Sequence, residues 1–313
     1  MMGKNKLLFG SFLALLVLII IELYIYANFS KFTEDDINIT FVVTGDNLDA
    51  WESMKSGAQT AALDTRGQVT FLNSVVSAGA QGEIDMLERQ FLDGADYVVI
   101  ASGFYEEVKD YVDKKNLSSK VFFIKNGQPD IKNGIVADDY KLGEDYAAFI
   151  NKNFYDKNLL VLYSDENINN SNIIDGLKQG FSDTGIEITV ELLSNDEDLI
   201  DKYFEDAIND DFYDGAILLD SNLIDAAVKV DDLTSGSFNI YGIDDRQAAV
   251  YYLDSDLIKS LACKDDYTMG FLMVNQILTN KKAKDNQTPL YYIVKRSDIY
   301  MEQYEKVLFP FAK

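Results

Sequence analysis

Carboxylates and one indole carry what chemistry this sequence offers. Asp138 and Asp244 each follow an apolar run, and two carboxylates facing one another could serve as acid and base on a glycosidic bond. The same groups could as well accept hydrogen bonds from a bound polyol without reacting. Trp51, the one tryptophan, stands between Asp49 and Glu52 just past a β-rich run. Its position after the strand, between charges, favours a flat apolar face offered to a ligand over a core residue. Histidine is absent and cysteine occurs once, at Cys263. Ser-His-Asp and Cys-His nucleophiles, His-ligated zinc, disulfides and Cys-x-x-Cys motifs are therefore excluded. No two glycines are separated by a single residue, so Gly-x-Gly-x-x-Gly is missing, and Gly180 and Gly185 do not lead into a P-loop lysine. Gly-x-Ser-x-Gly is missing too. The run 209–215, Asn-Asp-Asp-Phe-Tyr-Asp-Gly, lacks calcium-loop spacing and reads as a solvated acidic loop; no metal and no cofactor is expected.

The chain has 313 residues with 52 acidic against 28 basic, a net charge of −24, and 47% hydrophobic residues. Such a surface repels phosphate backbones, so nucleic acid is not an expected partner. β-rich runs at 37–44, 68–72, 95–101, 120–125, 159–163, 186–193, 215–219 and 238–242 alternate with segments of helical spacing at 50–63, 83–92, 106–115, 141–153, 173–181, 199–208 and 226–233. Strands alternating with helices mean βαβ units and parallel sheets covered on both faces, in one closed barrel or two open lobes.

The amino-terminal stretch 7–27 carries one charge, Glu22, and at helical rise spans roughly 30 Å, the thickness of a bilayer core. Lys4 and Lys6 precede it and Glu34, Asp35 and Asp36 follow, which predicts a cytoplasmic amino terminus and an exported remainder. A cleaved signal peptide is the alternative. Cleavage after Ala27 would put Ile25 at −3 and cleavage after Ser30 would put Asn28 there, both unsuitable, so a retained single-pass transmembrane helix is the expectation.

Five motifs in order resemble the type I periplasmic binding proteins of the ribose/galactose type: Trp51 leading to Gly57-Ala58; Asp138-Asp139-Tyr140 with Gly143; Gly180-Phe181; Tyr241-Gly242-Ile243-Asp244; and Lys264-Asp265-Asp266-Tyr267-Thr268-Met269-Gly270. The resemblance implies an α/β fold of two Rossmann-like lobes with parallel sheets, joined by three crossovers, with a ligand in the cleft. The expected organisation is a tip and anchor over 1–27, a linker over 28–37 and a bilobed domain over 38–313. Lobe 1 would take 38–137 and 244–288, and lobe 2 would take 138–243 and 289–313. The implied ligand residues are Trp51, stacking on a sugar; Asp138, Asp220 and Asp244, accepting hydrogen bonds; and Lys264, donating. Leu177 stands where relatives carry arginine, Asp220 where they carry asparagine and Lys264 where they carry glutamine. The run 169–172, Asn-Asn-Ser-Asn, offers amide hydrogen bonds or a helix cap. The expected activity is binding of a small polar solute, a carbohydrate first, in the cell envelope, with a transporter permease or a sensor kinase as membrane partner. An exported hydrolase and a surface interaction protein with a degenerate cleft are the rivals.

Overall fold

The computed structural model describes residues 37–44, 51–65, 67–74, 76–127, 133–164, 170–194, 196–209, 212–234, 238–244, 246–279 and 290–302, with Glu22, Tyr304 and Leu308. Residues 7–27, read above as a membrane span, lie outside them except for Glu22. Among the described residues no helix is long and apolar enough to cross a membrane.

The first sheet holds β1 (Ile37–Thr44), β2 (Gly67–Ser74), β3 (Tyr97–Ala101), β4 (Val121–Gly127) and β5 (Gly134–Asp138) in the order β2-β1-β3-β4-β5. The pairs β1/β3, β3/β4 and β4/β5 are parallel. Strands such as Tyr97-Val-Val-Ile-Ala101 are apolar throughout because helices cover both faces. On one face lie α2 (Gly79–Leu92) and α3 (Tyr105–Lys114), which bury Ile84, Leu87, Val108 and Val112 against Val42, Val98 and Ile100.

The second sheet holds β6 (Asn158–Ser164), β7 (Glu187–Leu193), β8 (Gly215–Leu218), β9 (Asn239–Ile243), β10 (Ser260–Lys264) and β11 (Tyr291–Lys295) in the order β11-β10-β9-β8-β6-β7. Only β11 runs antiparallel, against β10. One face is covered by α6 (Glu197–Asn209), α7 (Ser221–Thr234) and α8 (Gln247–Asp254), contributing Phe204, Leu223, Ala249 and Leu253. The other is covered by α4 (Asp139–Asn153) and α5 (Asn170–Phe181), contributing Leu142, Tyr146, Ile173 and Leu177.

Two helix pairs, one per lobe, approach at glycines. A Cβ on Gly57 of α1 (Glu52–Thr65) would lie 1.9 Å from the Tyr267 carbonyl oxygen of α9 (Asp266–Thr279). On Gly143 of α4 it would lie 2.2 Å from the Ile173 carbonyl oxygen of α5. Backbone against backbone at these sites is why the motifs quoted above contain glycine.

These contacts correct the lobe boundaries expected over 244–288. β10 pairs with β9 and β11, and Ala249, Val250 and Leu253 of α8 pack with Leu261 and Cys263 in the second lobe's core. The chain stays in the second lobe through Lys264 and returns at Asp265 to α9, which packs on α1. The first crossing falls between Asp138, paired to Gly127 in the first sheet, and Asp139, which opens α4. On the third, Leu290 leads into β11, and 280–289 lie outside the described residues.

Candidate ligand-binding site

Open parallel sheets bind ligands beyond the carboxyl ends of their strands, where helix amino termini and loops converge. All five residues singled out from the sequence map to such ends. Trp51 precedes α1, following β1; Asp138 ends β5; Asp220 follows β8; Asp244 follows β9; Lys264 ends β10. The four charged residues are each held by partners of their own.

Trp51 is half-buried at the mouth of α1, and residues 45–50 before it lie outside the described residues. Asp138 caps α4: the Lys141 backbone N–H donates to its Oδ1 at 2.9 Å. Asp220 joins two strand ends, since the Ser164 N–H at the end of β6 donates to its Oδ2 at 2.5 Å. Asp244 is buried and meets Arg246 three times: the backbone N–H and Nε donate at 2.9 Å each, and Nη2 lies 2.8 Å away. Arg246 in turn donates to both Asp225 oxygens at 3.0 and 3.1 Å and to the Ser221 carbonyl at 2.9 Å. Burial pulls the guanidinium down, and the Asp225 and Asp244 carboxylates more than reverse this, holding it above its ordinary value. This forked arrangement ties the ends of β8 and β9 to α7.

Lys264 forms an ion pair with Asp139, Nζ to Oδ1 at 2.8 Å. Asp139 is 0% exposed, and neither carboxylate oxygen accepts a directed hydrogen bond. Burial pushes its carboxyl above the usual carboxylate range, and Lys264 pulls it back. The next residue, Asp265, caps α9 by accepting the Thr268 N–H at 2.9 Å, while its own N–H donates to the Leu290 carbonyl at 2.9 Å. The first and second crossings are thus joined by an ion pair, and the second and third by a backbone hydrogen bond.

The sequence reading passed over Asp139 in favour of its neighbour Asp138, and it missed Arg246. Lys264 was the available signal for Asp139, because a lysine at a strand end among carboxylates needs a counter-charge. Glu83 was missed as well. Fully buried on α2, it accepts from Thr44 Oγ1 at 2.5 Å and the Gly103 N–H at 3.1 Å, and also from Ser102 Oγ. It fastens the ends of β1 and β3 together. Leu177, read as standing in an arginine's place, is core in the α4–α5 interface. Of the 169–172 run, Asn169 lies outside the described residues; Asn170 opens α5 at 2% exposed, its Nδ2 unpartnered. Of the acidic run 209–215, Asp210 and Asp211 lie outside the described residues, and Asp214 accepts the N–H groups of Lys157 and Asn158 at 2.7 and 2.9 Å. Among the described residues no Cys/Asp/Glu group could hold a metal ion.

A family model described as periplasmic binding protein domain matches residues 39–285. Comparison with curated proteins finds no match. Among solved structures the chain is similar to AraP, an arabinose binding protein from Geobacillus stearothermophilus, at 12% identity and a TM-score of 0.66, covering 84% of this chain and 98% of that one. It is similar to a carbohydrate transporter solute binding protein from Agrobacterium radiobacter in complex with D-arabinose, at 14% identity and 0.68, covering 88% and 100%. A chain of the XylFII-LytSN complex matches at 14% identity and 0.63, covering 84% and 99%. At these identities the structural likeness shows the fold, α/β with two lobes and parallel sheets.

Proposed function

We propose a function from the premise that this chain belongs to the periplasmic binding protein family, solute-binding proteins rather than enzymes. The protein is an extracytoplasmic binding protein for a carbohydrate, tethered to the membrane through residues 7–27. Trp51 stacks on the sugar, Asp138, Asp220 and Asp244 accept from its hydroxyls, and Lys264 donates. The observation that carries this is the placement of those residues at the carboxyl ends of five parallel strands drawn from both sheets. Similar proteins support the ligand class: one is an arabinose binding protein and another holds D-arabinose. Closure of the two lobes about the crossings at Asp138–Asp139 and Lys264–Asp265 is the signal, read by a transporter permease or a sensor kinase in the membrane.

The acid–base reading of Asp138 and Asp244 is set aside. One caps a helix and the other neutralises Arg246, and membership of a solute-binding family agrees. The test is thermal unfolding of the full chain in detergent against monosaccharides, polyols, nucleosides and amino acids. A ligand at a hundred times its Kd adds about 2.7 kcal/mol, or roughly 5 °C at this size. A shift confined to sugars is the expected result; a flat panel, or a shift only with amino acids or nucleosides, overturns the carbohydrate assignment.

A further inference from the structure

Lys264 at the end of β10 and Asp139 at the start of α4 stand 125 residues apart in the chain, beyond any local pairing, yet they meet at the point where two of the three crossings run side by side. Asp139 is wholly enclosed, and among the described residues it forms one ion pair, the 2.8 Å approach of Lys264 Nζ. Lys264 keeps one fifth of its side chain exposed, 21%, so it is not sealed in with the enclosed carboxylate. An ammonium has three N–H bonds, and one held beside a fixed anion donates from a set place rather than wandering with its flexible stem.

We propose that Asp139 is a positioning residue for ligand binding: it never touches the solute, but by holding Lys264 Nζ at the junction of the crossings it fixes the place from which Lys264 donates. The proposal rests on the reading of Lys264 as a ligand donor. The carboxylate's burial makes the arrangement one-sided. Asp139 cannot turn to water, so the anchor stays where it is and the lysine comes to it. Because Asp139 belongs to the first crossing and Lys264 to the second, the pair also keeps the donor in register with the axis about which the lobes close. A neutral solute oxygen is the partner that fits. With Asp139 balancing its charge, Lys264 offers hydrogen bonds without a net positive field, which selects a hydroxyl or ring oxygen over a phosphate or carboxylate.

The test uses the full chain in detergent as wild type, Asp139→Asn, Lys264→Gln and the double variant, measured by thermal unfolding and by calorimetry with arabinose, ribose, galactose and myo-inositol, then with single-deoxy analogues of the best binder. Asparagine keeps the shape of Asp139 without its charge. The expected result is a loss of ten-fold or more in affinity for Asp139→Asn, a similar loss for Lys264→Gln, and no further loss in the double. One deoxy analogue should bind wild type more weakly than the parent sugar, yet bind Asp139→Asn as well as the parent does. A role in folding alone would not produce that loss of discrimination against one hydroxyl. Wild-type affinity and discrimination in Asp139→Asn, with Lys264→Gln impaired, overturn the positioning role and leave the proposed function standing. If none of the sugars binds wild type, the proposed function fails and this inference with it. Additive melting-temperature changes across the four proteins would show that the two side chains do not hold one another, and overturn it whatever the ligand.

Discussion

Of the residues proposed for the site, Trp51 is the one whose role would depend least on its neighbours, because an indole face acts by contact area. Truncation to alanine should remove about 80 Å² of apolar contact, on the order of 2 kcal/mol or ~30-fold in Kd. The residue is only half-buried, so the melting temperature without ligand should barely move. Titration calorimetry with the sugar that stabilises wild type decides it, and an unchanged Kd would remove Trp51 from the site. The carboxylates are another matter. Their types and their places after strand ends were legible in the sequence, but their partners were not. Asp244 meets Arg246 two residues on and Asp225 joins through the same guanidinium from α7, an association that folding alone brings about. In Asp138-Asp139 the sequence offers two equal carboxylates, and only the helix start separates them: the first caps α4 and the second is turned into the interior.

At the scale of elements, glycines set how closely helices pack, because a side chain there would have to displace backbone. A methyl group on Gly57 would meet the Tyr267 carbonyl oxygen at 1.9 Å, with backbone on both sides and no flexible side chain to yield. Gly57→Ala should therefore push α1 from α9 and destabilise the fold by about 3 kcal/mol, the upper part of the range for overpacking. Chemical denaturation with an unchanged slope would report it; a loss below half a kcal/mol would mean that the helices part without strain. The apolar runs that form β3 and β6 were plain in the sequence. Three strands were not, β5, β10 and β11, although at five residues each they are no shorter than β3. A run such as Ser-Leu-Ala-Cys-Lys, with no β-branched residue, fits a strand or a turn of buried helix equally well, and only its neighbours in the sheet decide. Missing β10 is what moved the second crossing one strand too early, to Ile243 instead of Lys264.

For the whole molecule the consequence is electrostatic, because the crossings carry an enclosed charge in a chain of net charge −24. Burial raises the Asp139 carboxyl above its unfolded value, Lys264 lowers it, and the Asp138 carboxylate raises it a little more. A carboxyl whose folded value lies above the unfolded one costs stability at pH above the folded value. That cost falls as pH drops through it and is gone below the unfolded value near 3.9. Lys264→Gln removes the one opposing influence, so the cost grows and reaches further toward neutral pH. The loss at pH 7 should approach the roughly 3 kcal/mol of a broken buried pair. It should shrink steadily as the pH is lowered, since a proton then does what the lysine did. The double variant with Asp139→Asn has no buried carboxyl to protonate, and its difference from wild type should vary with pH only as far as the wild-type pair itself does. Taking differences between variants cancels the repulsion among the other carboxylates, which changes with pH in all of them alike. Melting temperatures of the three proteins from pH 8 to pH 4 measure this directly. A Lys264→Gln deficit that stays constant across that range would mean that Asp139 is already protonated when paired, and that the crossings are joined by a neutral contact instead of an ion pair.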